Sequence, residues 1–154
     1  MSAIRIRLAA PLDCEQLSRL RQALWPESSA EEHRNELAAV LGSKQNRTLP
    51  LAIFVAEAPD GALAGFLEAG LRSHADGCDP TRPVGFVEGW FVKEGHREKN
   101  VGRRLLLAAE EWARGKGCIE MASDTQIDNA LSQQVHEALG FEVIDRCVHY
   151  RKVL

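Results

Sequence analysis

A group of basic residues beside a glycine gives this chain a candidate anion-binding turn. The stretch VKEGHREKNVGRRLL, residues 92–106, joins a β-type pattern to a helical one. Around Gly102 it carries four basic side chains, Arg97, Lys99, Arg103 and Arg104. Backbone N–H groups are free at a helix N-terminus, and the helix dipole favours an anion there. The stretch therefore predicts an anion site. Because a loop with so few glycines is a weak motif, an ordinary basic loop before a helix is the alternative.

Asn100 occupies the position where such a turn would usually carry a second glycine. Among residues other than glycine, asparagine adopts the left-handed backbone conformation most readily. We therefore expect a left-handed backbone at Asn100, which would preserve the turn. The nearby Gly102 allows a close approach between backbone and ligand.

The elements that must position this turn follow from hydrophobic periodicity and from turn and capping signals. Ser29 and Glu32 form a capping box for a second helix before Gly42, and PDG predicts a hairpin turn. The predicted strands are 4–8, 51–57, 62–71, 84–92, 118–122 and 141–153, and the predicted helices are 13–25, that second helix, 102–116 and 128–139, with a loop at 72–82. The order β-αα-βββ-α-β-α-β indicates an α/β (α+β) fold, a mixed sheet flanked by helices.

Length and composition narrow the class of protein. The 154 residues suit one domain, 1–154, and 45% apolar with 27% charged residues is ordinary for a soluble globular chain. A net charge of −3 gives no general bias toward nucleic acid. No apolar run is long enough to span a bilayer, and the N-terminus alternates like a strand, so we expect a cytoplasmic location. The four cysteines have neither zinc-ligand nor disulfide-framework spacing, so we expect free thiols and no metal.

Two motifs together resemble the GNAT superfamily of acetyl-coenzyme A dependent N-acetyltransferases. In WFVKEGHREKNVGRRL, Arg97 and Gly102 match the superfamily's central motif, and Asn100 departs from its middle glycine. DNALSQQVHEALGF matches a second motif, an asparagine followed by a helix that ends in Gly-Phe. His136 stands where many members carry a tyrosine. The resemblance implies the GNAT fold, with a β-bulge that splays the central strands.

Six shorter sequence segments are similar to segments of the aminoglycoside 6'-N-acetyltransferases within that superfamily. They are LWP, GCD, FVEGWFV, GCIEMASDT, VHEALGF and the final YRK, in the same order. The resemblance implies acetyl-CoA as co-substrate and direct transfer of its acetyl group to the 6'-amino group of an aminoglycoside, which confers antibiotic resistance. We also expect a homodimer, because the last strand or a face of the sheet can pair with a copy.

The resemblance also implies the residues that contact the cofactor. The glycine in VEGWFV predicts a bulge, and the pantetheine arm would pair with the opened strand at the backbones of Phe91 and Val92. A backbone N–H there would stabilise the oxyanion. Asn129 would contact the cofactor from the neighbouring helix. The pyrophosphate would lie in the turn formed by Arg97, Glu98, Lys99, Asn100, Val101, Gly102 and Arg103.

A polycationic acceptor needs an acidic pocket, and three carboxylates are candidates. They are Glu88, Asp124 and Asp145, which the predicted strands bring together. The apolar neighbours of Glu88 predict a largely buried strand, where an unpaired carboxylate is costly and a functional role is favoured. Asp124 could instead cap a helix, and Asp145 could face solvent on an alternating strand.

Trp25 and His74 match positions that line the antibiotic pocket in this family. As an alternative, Trp25 beside Pro26 could simply close the first helix against the core.

The implied chemistry assigns roles to three residues and leaves one choice open. Glu88 would remove a proton from the 6'-ammonium, directly or through water, and the free amine would attack the thioester. The leaving thiolate needs a proton from His136 or Tyr150, although His136 could equally be a surface helix residue. Two other classes stay open: a GNAT enzyme for another amine, such as a polyamine or a protein N-terminus, and a non-catalytic module that binds CoA or antibiotic.

Overall fold

A computed structural model describes residues 3–42, 50–97 and 99–154 of the chain. Its strands are β1 (Arg5–Leu8), β2 (Leu51–Glu57), β3 (Leu63–Arg72), β4 (Val84–Val92) and β5 (Met121–Ser123). Its α-helices are α1 (Cys14–Leu24), α2 (Ala30–Leu41), α3 (Val101–Gly115) and α4 (Ala130–Ala138).

The five strands form one mixed sheet in the order β1-β2-β3-β4-β5. The first four are antiparallel, and β5 runs parallel to β4. The predicted α/β class and mixed sheet are therefore confirmed. The predicted capping box and hairpin turn are confirmed as well. Ser29 and Glu32 form the capping box of α2, and Gly61 in PDG has a φ of 84° in the β2–β3 turn.

Each face of the sheet carries its own apolar cluster. On one face Leu105 and Ala109 of α3 pack on Leu67 and Val87. On the other, α1 and α2 contribute Leu17, Leu20 and Leu37, which pack on Phe66 and its neighbours. Alternate residues of a strand point to opposite faces, so β3 presents Phe66, Glu68, Gly70 and Arg72 on the α1 side. That face carries most of the candidate site.

An ion-pair cluster fixes the start of α1 against β1 and β2. Arg7 donates to both oxygens of Asp13, at 2.7 and 2.8 Å, and to Glu57 at 2.7 Å. Asp13 is buried, and the hydrogen bond from Arg7 lowers the pKa of its carboxyl below the ordinary value. The cluster therefore sets the direction of α1, whose C-terminal end carries Trp25.

Two predicted strands near the C-terminus differ from the structure. The strand predicted at 118–122 is shorter and lies later, at Met121–Ser123, because Gly117 and Cys118 form the turn that ends α3. The strand predicted at 141–153 is wrong, since residues 141–154 lie in no helix or strand. Its alternating pattern needs a neighbouring edge, and within the described parts of the chain no strand pairs with it.

Candidate active site

A β-bulge in β4 places Glu88 at the centre of the candidate site. Glu68 of β3 is opposite Gly89, and the next residue, Ala69, is opposite Val87, so Glu88 is the extra residue. On its other edge β4 pairs with β5 only from Gly85 to Val87. Beyond Glu88 that edge of β4 has no partner strand in the described ranges. The predicted bulge and the splaying of the two strands are both observed.

Glu88 is partly exposed and paired, which corrects the expected buried strand position. Its side chain is 32% exposed, and Arg72 donates to both carboxylate oxygens at 2.9 and 3.1 Å. The bulge gives the extra residue an orientation that simple alternation does not predict. Gly70 lies beside it, since a Cβ there would make ordinary contact with Oε1 of Glu88 at 3.4 Å.

Trp25 lies directly over Gly89, next to Glu88. A Cβ added to Gly89 would overlap the indole ring. The ring also stacks on His33 and meets the edge of Phe66, at centroid distances of 6.3 and 6.2 Å. Trp25 therefore packs against the core, as the alternative interpretation predicted, and also forms a wall beside Glu88.

A buried ion pair that the sequence interpretation missed lies beneath Trp25. Arg21 of α1 forms an ion pair with Glu68, in which Nη2 donates to Oε2 at 3.2 Å. Its Nε lies 2.6 Å from Oε1, in a geometry that is poor for a hydrogen bond. Arg21 also donates to Glu36 at 3.0 Å, and its guanidinium lies 5.2 Å from the Trp25 ring centroid. The available signal was an arginine on the apolar face of α1 and a glutamate within the apolar run LAGFLEAGL.

The basic turn leads from the end of β4 into α3, and Asn100 has the expected left-handed backbone. Its φ is 58° and its ψ is 15°, and α3 begins at the next residue, Val101. Gly102 faces the Trp90 ring, so a Cβ there would make ordinary contact at 3.5 Å. Arg97 donates to the carbonyl of Val92 at 2.9 Å and lies near the Phe91 ring. The turn thus keeps its shape without the second glycine.

Positive charge collects at this helix N-terminus. Arg97, Lys99, Arg103 and Arg104 are exposed, and within the described parts of the chain none forms an ion pair. Glu98, also predicted to contact the cofactor, lies outside the described residues. The open edge at Phe91 and Val92 runs directly into this cationic turn, so an extended ligand can follow the strand and end with its anion at the helix.

His136 is held between two aromatic rings rather than lying free on the surface of α4. Trp90 and Phe141 lie 5.6 and 5.2 Å from it, measured between ring centroids. Its Nδ1 is 2.7 Å from the Ser132 carbonyl, which requires an N–H on Nδ1. In the neutral ring Nε2 then accepts from the Ser123 hydroxyl at 2.8 Å. Ser123 was missed, although it ends the short strand in EMASDT.

The remaining candidates form no hydrogen bond or ion pair with Glu88 within the described ranges. Asn129 caps α4, since its side chain accepts from the Ser132 N–H at 3.0 Å. His74 lies 3.6 Å from Asp76 in the loop after β3. Asp124 directly follows β5 and is exposed, as is Asp145. Tyr150 is 91% exposed in the C-terminal segment, so the structure does not bring it to the other residues.

Within the described ranges no helix is long and apolar enough to cross a membrane. The same residues contain no group of three His, Cys, Asp or Glu side chains placed to hold a metal ion.

Comparison with known proteins identifies the family. The chain matches the acetyltransferase (GNAT) family over residues 15–141, and it belongs to that family, as its motifs predicted. It is 43% identical to aminoglycoside N(6')-acetyltransferase type 1 of Klebsiella aerogenes, over 88% of this chain and 87% of that protein. It is 38% identical to the protein of the same name from Stenotrophomonas maltophilia, over 99% and 95%.

Solved structures agree with the sequence relatives. The chain superposes on AAC(6')-Iy in complex with the bisubstrate analogue CoA-S-monomethyl-acetylneamine with a TM-score of 0.86, at 37% identity and 99% coverage of both chains. With AAC(6')-Iy bound to CoA the TM-score is 0.88, at 38% identity over 99% of this chain and 96% of that one. The predicted GNAT fold is therefore confirmed.

The contact between Gly89 and Trp25 gives a first prediction. Gly89→Ala places a methyl group in the space of the indole ring, so Trp25 must move away from Glu88. We expect a higher KM for the acceptor and an unchanged Kd for CoA, measured by steady-state kinetics and calorimetry. Gly95→Ala is the matched control, because a Cβ there meets no other atom within 4 Å. Equal acceptor KM values for the two variants would contradict a contact between Trp25 and the acceptor.

The backbone of Asn100 gives a second prediction. Asn100→Gly should retain or improve CoA affinity, because glycine adopts a positive φ without strain. Asn100→Val should weaken CoA binding by about five- to thirtyfold, since the left-handed conformation costs a branched residue about 1–2 kcal/mol. Calorimetric titration with CoA compares the two, and a strong loss in the glycine variant would show that the asparagine side chain itself is needed.

Proposed function

We propose that the protein transfers the acetyl group of acetyl-CoA to the 6'-amino group of aminoglycoside antibiotics, and so confers resistance to them. The observation that carries the proposal is the opened edge of β4. It runs from Glu88, a carboxylate that can bind the acceptor amine, to the cationic turn in which Asn100 has a left-handed backbone. Names of full-length relatives at 38–43% identity support the acceptor class. We take residues 1–154 as one N-acetyltransferase domain.

The cofactor follows the opened strand into the turn. The pantetheine arm pairs with the β4 backbone at Phe91 and Val92, where an N–H polarises the thioester carbonyl and stabilises the oxyanion. The pyrophosphate accepts hydrogen bonds from the N-terminal amides of α3 and lies among the exposed cationic side chains. The proposed contacts are Arg97, Glu98, Lys99, Asn100, Val101, Gly102 and Arg103, with Asn129 from the neighbouring helix.

The acceptor lies on the α1 side of β4, between Trp25 and Glu88. The carboxylate of Glu88 binds the 6'-ammonium and takes up its proton, directly or through one water. Asp124 and Asp145 are proposed to bind further ammonium groups, and His74 to line the same pocket. Several carboxylates suit a polycation, because each charge-assisted hydrogen bond is stronger than a neutral one.

Acetyl transfer is direct in this scheme. The lone pair of the neutral 6'-amine attacks the thioester carbon, and the tetrahedral oxyanion collapses as the C–S bond breaks. The acetyl group ends on nitrogen, which loses its second proton as the intermediate collapses. The electron pair of the C–S bond stays on sulfur, so the thiolate takes up one proton. His136 and Tyr150 are the two candidate donors. His136 is the one of the two that lies against β4, beside Trp90, and it would donate from its protonated form, because in the neutral ring Nε2 accepts from the Ser123 hydroxyl.

Two alternatives use the same site. An enzyme for another amine, such as a polyamine or a protein N-terminus, would use the same cofactor groove, since a fold alone does not select the acceptor. A non-catalytic module would bind CoA or antibiotic without turnover. Release of CoA thiol with a panel of aminoglycosides and polyamines separates these classes.

A homodimer is proposed from the C-terminal segment, residues 142–154. All of it is exposed, including Val148, Tyr150 and Val153. Within the described part of the chain it makes no backbone–backbone hydrogen bond, so its backbone donors and acceptors are available to pair with a strand edge. The outer edge of β5 also lacks a partner strand there. Pairing of this segment with a second copy supplies both. We place the enzyme in the cytoplasm, where acetyl-CoA is available.

Glu88→Gln tests the catalytic assignment. The amide keeps the size of the side chain but cannot accept the proton, so kcat/KM for tobramycin or kanamycin should fall by about 10²–10⁴-fold. CoA affinity should stay the same. Glu111→Gln, an identical change at an 83% exposed position of α3, is the control and should retain parental activity. Undiminished kcat/KM in Glu88→Gln across pH would remove Glu88 as the base.

Val148→Asp combined with Val153→Asp tests the dimer. Two charges on the apolar side chains of the segment should prevent its burial, so the mass from light scattering should fall from that of a dimer to that of a monomer. Leu12→Asp, at a 96% exposed apolar position far from the segment in sequence, is the control and should remain dimeric. A parent protein that is monomeric at micromolar concentration would overturn the proposal.

A further inference from the structure

Arg72 makes the closest polar contacts of the proposed catalytic carboxylate. It is the last residue of β3, and its Nε and Nη2 donate to Oε1 and Oε2 of Glu88 at 3.1 and 2.9 Å. Its guanidinium carbon lies 3.4 Å from the centroid of the Phe86 ring. The planar fork of an arginine matches both carboxylate oxygens, and stacking on an aromatic face fixes its plane. Arg72 therefore occupies the place that a substrate cation would take.

The same contacts direct Glu88 along β4, away from the proposed acetyl position. Its carboxylate lies beside Gly70 and Arg72, whereas Phe91 and Val92 lie further along β4 in the opposite direction. Phe91 is the third residue after Glu88, which corresponds to at most about 10 Å of strand. For Glu88 to bind an ammonium poised to attack the thioester, the carboxylate has to leave Arg72.

The exposure of the pair makes this exchange feasible. The side chains of Arg72 and Glu88 are 43% and 32% exposed, so water already competes for their charges. Ion pairs of this kind contribute little free energy, and an incoming cation can replace one. The side chains of the buried pair on the same face, Arg21 and Glu68, are only 10% and 4% exposed. An incoming cation therefore cannot reach that pair and replace its arginine.

We propose that Arg72 is a specificity-determining residue that holds Glu88 in the acceptor-free enzyme and yields it to an ammonium group of a polycationic acceptor. The inference rests on the proposed function. Binding is then the exchange of one cation for another on a single carboxylate. An acceptor with several ammonium groups bound to other carboxylates brings its 6'-ammonium to Glu88 at high effective concentration, whereas a lone amine competes poorly with Arg72.

The test compares aminoglycoside binding and turnover in the parent, Arg72→Gln and Arg72→Lys. Calorimetry gives the Kd of tobramycin in the presence of CoA. Arg72→Gln removes the competing cation, so this Kd and the KM for tobramycin should fall by about two- to fivefold. The KM for acetyl-CoA should not change. Arg72→Lys keeps the charge but loses the fork and should give an intermediate Kd.

Two controls isolate the contact with Glu88. Arg82→Gln removes the same charge from an exposed position in the loop between β3 and β4, and it should bind like the parent. In the Glu88→Gln background, Arg72→Gln should no longer tighten binding, because no carboxylate is left to compete for. Thermal melts of each variant establish that it is folded.

The outcomes separate this inference from the proposed function. A parent enzyme that neither binds nor acetylates any aminoglycoside contradicts the proposed function itself. An active parent with equal or weaker tobramycin binding in Arg72→Gln overturns the inference, and it would mean that Arg72 stays on Glu88 and orients it. Tighter binding that persists in the Glu88→Gln background also overturns it, because Arg72 would then act only as a general repulsive charge.

Discussion

The single extra residue in β4 is the constraint on which the candidate site depends. It turns Glu88 toward solvent and Arg72, and it brings Gly89 opposite Glu68. The absent side chain at Gly89 admits the Trp25 ring. Pairing with β5 stops at Val87, immediately before the bulge, so among the described residues the rest of that β4 edge has no partner strand and is open to a ligand. The carboxylate, the aromatic wall and the free strand edge thus share one cause.

Features governed by neighbouring residues could be predicted from the sequence. The capping box of α2, the hairpin at PDG and the left-handed Asn100 each depend on contacts within a few positions, and all three occur in the structure. Helices and most strands followed from periodicity for the same reason. The family could be predicted because several motifs occur in the same order as in its members. The replacement of one motif glycine by Asn100 did not change that order.

Features that depend on distant partners were missed or misjudged. Glu88 was expected to be buried because its neighbours are apolar, but Arg72, 16 residues earlier, pairs with it. Arg21 and Glu68 lie 47 residues apart, so no local pattern joins them. The predicted last strand failed for a related reason, since alternation shows which side chains share a face and not whether an edge is available to pair with.

The pair formed by Arg21 and Glu68 constrains how this part of the chain can evolve. Replacing either residue alone removes the closest opposite charge from a buried side chain, which costs more than replacing both with apolar residues of similar volume. We therefore expect a single replacement at either position to destabilise the fold. We also expect the two positions to be coupled in stability, so that a replacement at one is better tolerated when the other changes with it.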